Sequence, residues 1–97
     1  MESKTRAKLR AMANGLAPSV IIGKDGITDT LVRQISIELD ARELVKISVL
    51  SNEVDHKEIL NKLAQTLNAE PISQIGKKMV LYRFSPKKNI KHILEDN

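Results

Sequence analysis

The sequence predicts one α/β (α+β) two-layer domain: an N-terminal helix, then β-α-β-α-β-β, then a polar tail. Three observations carry this. Leu44 to Leu50 alternates, with Val45, Ile47 and Val49 on one face and Lys46 and Ser48 on the other, so one face of the sheet is expected to be wet and the helices to pack mainly on the other. Thr28 to Arg42 and Asp55 to Leu67 repeat apolar residues at helical spacing without an internal Gly or Pro. Near the end, Gly76-Lys77 separates two β-rich runs, which is a two-residue hairpin signal. A chain of 97 residues with an aliphatic, almost aromatic-free apolar set suits a single modest core that folds alone.

In chain order, Ser3 to Asn14 reads as the first helix. Leu9, Met12 and Leu16 recur at i, i+3 and i+7 as its apolar stripe, with Leu16 at the turn, Gly15 as the C′ residue and Pro18 beyond it. Lys4 and Lys8 flank the stripe on one side, Arg6 and Arg10 on the other, which is more positive charge than solubility requires. Val20 to Ile22 is mostly apolar and is expected to be a central strand. The second helix buries Leu31, Ile35 and Leu39 with Val32 beside them. The third buries Ile59, Leu60, Leu63, Ala64 and Leu67, with Asn52, Glu53 and Asp55 supplying turn and capping chemistry at its start and Asn68 its stop. Pro71 to Ile75 and Lys78 to Phe84 are expected to pair antiparallel. The folded domain is placed at residues 1–84. Residues 85–97, with Pro86 near their start and only Ile90, Ile93 and Leu94 as apolar anchors, are expected to form a weakly docked helix or a mobile polar tail.

Charge is segregated along the chain. Residues 1–33 carry six basic and three acidic groups, 34–70 four and seven, and 71–97 six and two. If the fold brings the two basic ends to one side, a basic face results, and a phosphate backbone is the usual partner of such a face. The lack of cysteine excludes a disulfide framework and a thiolate metal site and fits a reducing compartment, so a cytoplasmic location is expected. The basic N-terminus leads into no apolar run, and no segment approaches bilayer-spanning length, so neither secretion nor membrane insertion is expected. Catalysis is not expected either. His56 and His92 lie far apart without ligand spacing, and Asp55 and Glu58 read as favourable charges at a helix start rather than an acid/base pair. No metal or other cofactor is implied.

The stretch V-I-I-G-K-D-G-I-T, Val20 to Thr28, reads as a strand, a tight Gly-rich loop and a helix start. Gly23 and Gly26 allow positive φ and close approach to the backbone, while Thr28 is a good N-cap. The helix behind it presents unpaired N–H groups and a positive dipole end that favour an anion, and Lys24 adds a full charge at the loop tip. A lone G-x-x-G is equally what an ordinary βα turn needs. It is no Walker A loop, because G-x-x-x-x-G-K-[ST] is absent.

With L-A-P-S-V-I-I-G-K-D-G-I-T near the start and I-S-Q-I-G-K-K-M-V-L-Y-R near the end, the sequence resembles the chloroplast RNA splicing and ribosome maturation (CRM) domain in its stand-alone bacterial, YhbY-type form. The resemblance runs from about Lys4 to Phe84. It implies a fold similar to the C-terminal domain of translation initiation factor three, a four-stranded mixed sheet backed by helices. It also implies RNA binding and, in single-domain bacterial members, association with ribosomal RNA in precursor large subunits. On that analogy Gly23, Lys24, Asp25 and Gly26 form a backbone-clamping loop. Lys4, Arg6, Lys8 and Arg10 of the first helix and Lys77, Lys78 and Arg83 of the hairpin extend the surface. Asp25 departs from this logic, since an acid in a phosphate-facing loop opposes the anion, although Asp can also turn or cap the loop backbone. The likeness to the G-x-x-G of KH domains is one of mechanism, because there the loop joins two helices.

The rival reading is a protein-interaction adaptor that uses the acidic middle or Ile90, Ile93 and Leu94 without touching RNA. Steep salt dependence separates the two. Tyr82 and Phe84 are the only aromatics, and both are expected on one face of the last strand in a packing role. Shape and backbone recognition of structured RNA is therefore expected over reading of single-stranded sequence.

Overall fold

The computed structural model describes residues 1–94. In order the elements are α1 (Ser3–Asn14), β1 (Val20–Ile22), α2 (Asp29–Arg42), β2 (Leu44–Val49), α3 (His56–Leu67), β3 (Glu70–Ile75) and β4 (Lys78–Tyr82). The sheet order is β1-β2-β4-β3, with β1 parallel to β2 and the other two pairings antiparallel, so the sheet is mixed. Helix boundaries follow local chemistry. The Thr28 hydroxyl accepts from the Leu31 N–H at 3.1 Å, and the Asp55 carboxylate accepts from the Glu58 N–H at 3.1 Å, each satisfying a donor the helix cannot. Asn68 ends α3 in the left-handed region, at φ 53°. Gly76 at φ 58° makes the hairpin turn between β3 and β4.

The main core lies between one sheet face and α2 plus α3. Val20, Ile22, Val45, Ile47, Val49, Met79 and Leu81 meet Leu31, Ile35, Leu39, Leu60, Leu63 and Leu67 there. The opposite face is open only in part. Leu44, Val80, Tyr82 and Ile72 are covered by Leu9 and Ala13 of α1, a second, smaller cluster that Ile93 and Leu94 complete. The β2 alternation places Lys46 and Ser48 on this face, and both are half-buried rather than fully wet.

Several expectations change. β1 is an edge strand, not a central one, because among the described residues only β2 pairs with it and Ile21 points to the open face at 60% exposure. The inward stripe of α1 is Leu9 and Ala13. Met12 and Leu16 stay 38% and 43% exposed, since the helix rests on the sheet by the i, i+4 row through Leu9. Gly15 closes α1 with φ −86°, in the right-handed region, so its conformation does not require glycine. β4 ends at Tyr82, which leaves Phe84 outside the strand, 59% exposed, with its ring stacked 4.2 Å from that of His92. Residues 85–94 contain no helix and are tied to the body by hydrogen bonds to Glu43; the rest of the expected tail, 95–97, lies outside the described residues.

Candidate nucleic-acid interface

The Gly-rich loop and the hairpin share one end of the sheet. β1 and β2 run parallel, so Gly23 follows β1 at the end where β2 finishes and antiparallel β4 begins. Leu50 N–H donates to the Ile22 carbonyl at 3.0 Å and Val49 N–H to the Lys77 carbonyl at 2.7 Å, stitching loop base, β2 end and hairpin into one row. Two strand spacings, roughly 10 Å, separate the loop from Lys77. Cross-strand pairing then lines up Ile21, Ser48, Lys78 and Ile75 on the open face, with Ile21 and Ile75 60% and 71% exposed.

Within the loop, Gly26 N–H donates to the Gly23 carbonyl at 3.1 Å and Gly26 alone has positive φ, 69°. Gly23 adopts no such φ, and a Cβ placed on it meets nothing within 4 Å among the described residues. Glycine at position 23 is therefore not required by the fold. Lys24 and Asp25 are exposed. The start of α2 is less receptive to an anion than expected: Thr28 already takes the Leu31 N–H and Asp29 stands in the first turn. On the α3 side of the loop, a shallow groove lined by Gly26, Ile27, Val54 and Ile59 also carries two acids, Asp55 and Glu58, against one cation, Lys62. An anion reaching this loop meets less repulsion from the open-face side.

The four cations of α1 divide between two rows. Arg6, Arg10 and Asn14 follow one another at i, i+4. Arg6 donates to the Pro71 carbonyl and lies 3.7 Å from Glu70, while Asn14 lines a hollow with Lys46, Ser73, Ile75 and Lys78, so Arg10 stands between them over β3. Lys4, Lys8, Met12 and Leu16 form the other row, and Met12 and Leu16 line a groove with Arg42, Leu44 and Ile93. α1 has no acidic residue in its first turn, and its N-cap residue Glu2 makes no side-chain capping bond among the described residues, so Lys4 and Arg6 oppose its dipole with only the Glu2 charge to offset them. A helix kept at that disadvantage is held by tertiary packing.

Lys46, in sequence only a residue of the expected wet sheet face, is a cation held by the fold. Its Nζ donates to the Ala13 and Leu16 carbonyls, both at 3.1 Å, and so caps the C-terminus of α1. In sequence it is merely the polar partner in an alternating strand. Arg83 goes the other way. Its guanidinium donates to the Leu67 carbonyl (2.9 Å), the Ser36 carbonyl (3.1 Å) and hydroxyl (2.9 Å), and Asp40 (3.0 Å), so it braces β4 against α2 and α3, away from the loop. The hairpin lysines Lys77 and Lys78 are exposed. Lys4, Lys8 and Arg10 are exposed and Arg6 half-buried. The two basic ends of the chain do meet, because Ile93 and Leu94 pack against the cluster containing Leu9 and Ala13.

These features define a small α+β module with cations gathered on the α1 side of its sheet and a glycine loop at one end of that sheet. A CRS1/YhbY (CRM) domain model matches residues 1–83, and the chain belongs to that family. It is 36% identical over 86 residues to the "Probable RNA-binding protein YqeI" of Bacillus subtilis, covering 88% of this chain and 90% of that one. An "RNA-binding protein" of Haemophilus influenzae is 30% identical over 91 residues, covering 93% and 92%. The solution structure of a hypothetical Staphylococcus aureus protein superposes with a TM-score of 0.79 at 34% identity, covering 92% of this chain and 94% of that one.

Proposed function

We propose that this protein binds structured RNA through the α1 side of its sheet and the G-K-D-G loop, and that its target is ribosomal RNA in precursors of the large ribosomal subunit, in the cytoplasm. The observation that carries the RNA reading is the meeting of the N-terminal helix and the C-terminal segment on one side of the sheet, which gathers the basic ends of the chain. Family membership and the names of the relatives support it. The ribosomal target rests on the CRM resemblance. Gly23 supports a clamping role for the loop, since an open glycine that the fold does not need suits close approach by a partner's backbone.

Sedimentation of lysate at low salt tests the target: the protein should travel with immature large subunits and not with translating ribosomes. Confinement to the free soluble fraction would remove the assembly role. A protein-binding adaptor is the second reading, favoured by the exposed Ile21 and Ile75. RNA affinity that falls steeply with salt decides for the first, by up to about 0.9 log units of K per log unit of salt for each phosphate contact.

A further inference from the structure

Glu43 occupies an unusual place. It ends α2 at φ 67°, a conformation that favours Gly or Asn, and it is 0% exposed. Its carboxylate accepts from the Ser85 N–H (2.7 Å) and the Ile93 N–H (2.9 Å) and is 2.7 Å from His92 Nδ1. The Ser85 hydroxyl donates to the Asp40 carbonyl, and the His92 ring stacks on Phe84. These bonds fasten the segment near both ends, at Ser85 and at His92 and Ile93, while Pro86 to Asn89 and Lys91 between them are exposed and Ile90 is half-buried. Lys87, Lys88 and Lys91 lie in that stretch, and all three are exposed. The segment leaves β4 beside the end of α2 and returns to α1, where Ile93 shares a groove with Met12 and Leu16, the continuation of the Lys4–Lys8 row.

From this we infer that residues 85–94 are a pinned strap presenting Lys87, Lys88 and Lys91 as a second phosphate-contacting surface, continuous with the Lys4–Lys8 row and at the opposite end of the sheet from the G-K-D-G loop. Glu43 is its positioning residue. The partner is the backbone of structured RNA, an inference that rests on the RNA reading above. Regularly spaced phosphates suit cations held on a fixed segment, because lysines on a chain tethered at both ends lose less freedom on binding than lysines on a free chain.

The test uses the full chain and a fluorescein-labelled RNA hairpin with a fully paired stem, read by anisotropy across a salt series. The triple variant Lys87→Gln, Lys88→Gln, Lys91→Gln should keep its melting temperature, bind roughly 10- to 100-fold more weakly at low salt, and lose about two to three units of log K against log salt slope. Unchanged affinity and slope in this variant, with Lys24→Ala still weakening binding, would sink the strap and spare the RNA reading. Unchanged affinity in both variants, together with no binding loss from Lys4→Gln plus Lys8→Gln, would sink the RNA reading itself. Binding of the wild-type chain to polyglutamate as tight as to the hairpin would overturn the phosphate assignment. For Glu43 the readout is a cycle. Glu43→Gln, or His92→Gln if the first fails to fold, should weaken RNA binding in the wild-type background and have no further effect in the triple-lysine background. An equal loss in both backgrounds would make Glu43 a stability residue with no positioning role.

Discussion

Arg83 offers the sharpest test of the division between cations that build the fold and cations that face outward. Replacing it by Met keeps an apolar stem over the helices and deletes only the guanidinium. The deleted group serves the Leu67 carbonyl, one of the orphan acceptors at the end of α3, and bridges Ser36 and Asp40 on α2. A hydrogen bond to a charged group contributes about 1.5–3 kcal/mol. The side chain is 20% exposed and Asp40 33%, so the ion pair is screened and the low end applies. Losing the Leu67 bond and the α2 bridge together should cost about 2–3 kcal/mol. For a domain of this size that lowers the melting temperature by roughly 10–20 °C. Urea unfolding followed by circular dichroism should show a lower midpoint at constant m, and RNA affinity of the folded variant should stay within about twofold of wild type. A stability change under about 0.5 kcal/mol, or weakened RNA binding at unchanged stability, would refute the reasoning and return Arg83 to the interface.

If the loop clamps RNA as proposed, fold and recognition should separate within its four residues: Gly26→Ala should lose about 1 kcal/mol or more by denaturation because φ is positive there, whereas Gly23→Ala should leave stability alone and weaken RNA binding in anisotropy titrations. Lys24→Ala should lower RNA affinity by roughly 1–2 kcal/mol with little change in melting temperature, and Asp25→Lys should tighten binding. Under α1, Leu9→Ala should cost about 3 kcal/mol and Met12→Ala less than about 1 kcal/mol, checked by urea midpoints, since Leu9 is fully buried and Met12 38% exposed. Burial of Glu43 opposes its ionised form, but the Ser85 and Ile93 N–H groups and the His92 side chain outweigh this and hold its carboxyl below the usual 4.5. Because the folded value is depressed, the stabilisation is present above the ordinary carboxylate range and lost as pH falls through the folded value, so wild type should lose stability below about pH 4.5 with a steeper slope than Glu43→Gln in acid-unfolding curves.

Much of this molecule is legible in one dimension. Period-3.6 stripes mark α2 and α3 to within a residue, Thr28 and Asp55 act as the caps their chemistry suggests, and Gly76-Lys77 turns the hairpin, because each of these features is decided by neighbours within four or five residues. The Gly-rich loop is equally visible. What could not be read locally depends on contacts across the chain. An apolar triplet such as Val20 to Ile22 suits a central strand or an edge strand, and only the β1-β2-β4-β3 order makes it an edge with Ile21 turned outward. The α1 stripe hinged on which of two overlapping apolar rows met the sheet. Charge was the largest gap: Arg83, Arg6 and Lys46 look like Lys24 and Lys77 in sequence, yet their heads end on carbonyls at Leu67, Pro71 and Ala13. Long cationic side chains reach partners 65, 33 and 16 residues away, and no local pattern encodes such a distance. Glu43 is the extreme case, an acid in a strained cap whose purpose appears only when Ser85, His92 and Ile93, more than forty residues later, fold back onto it.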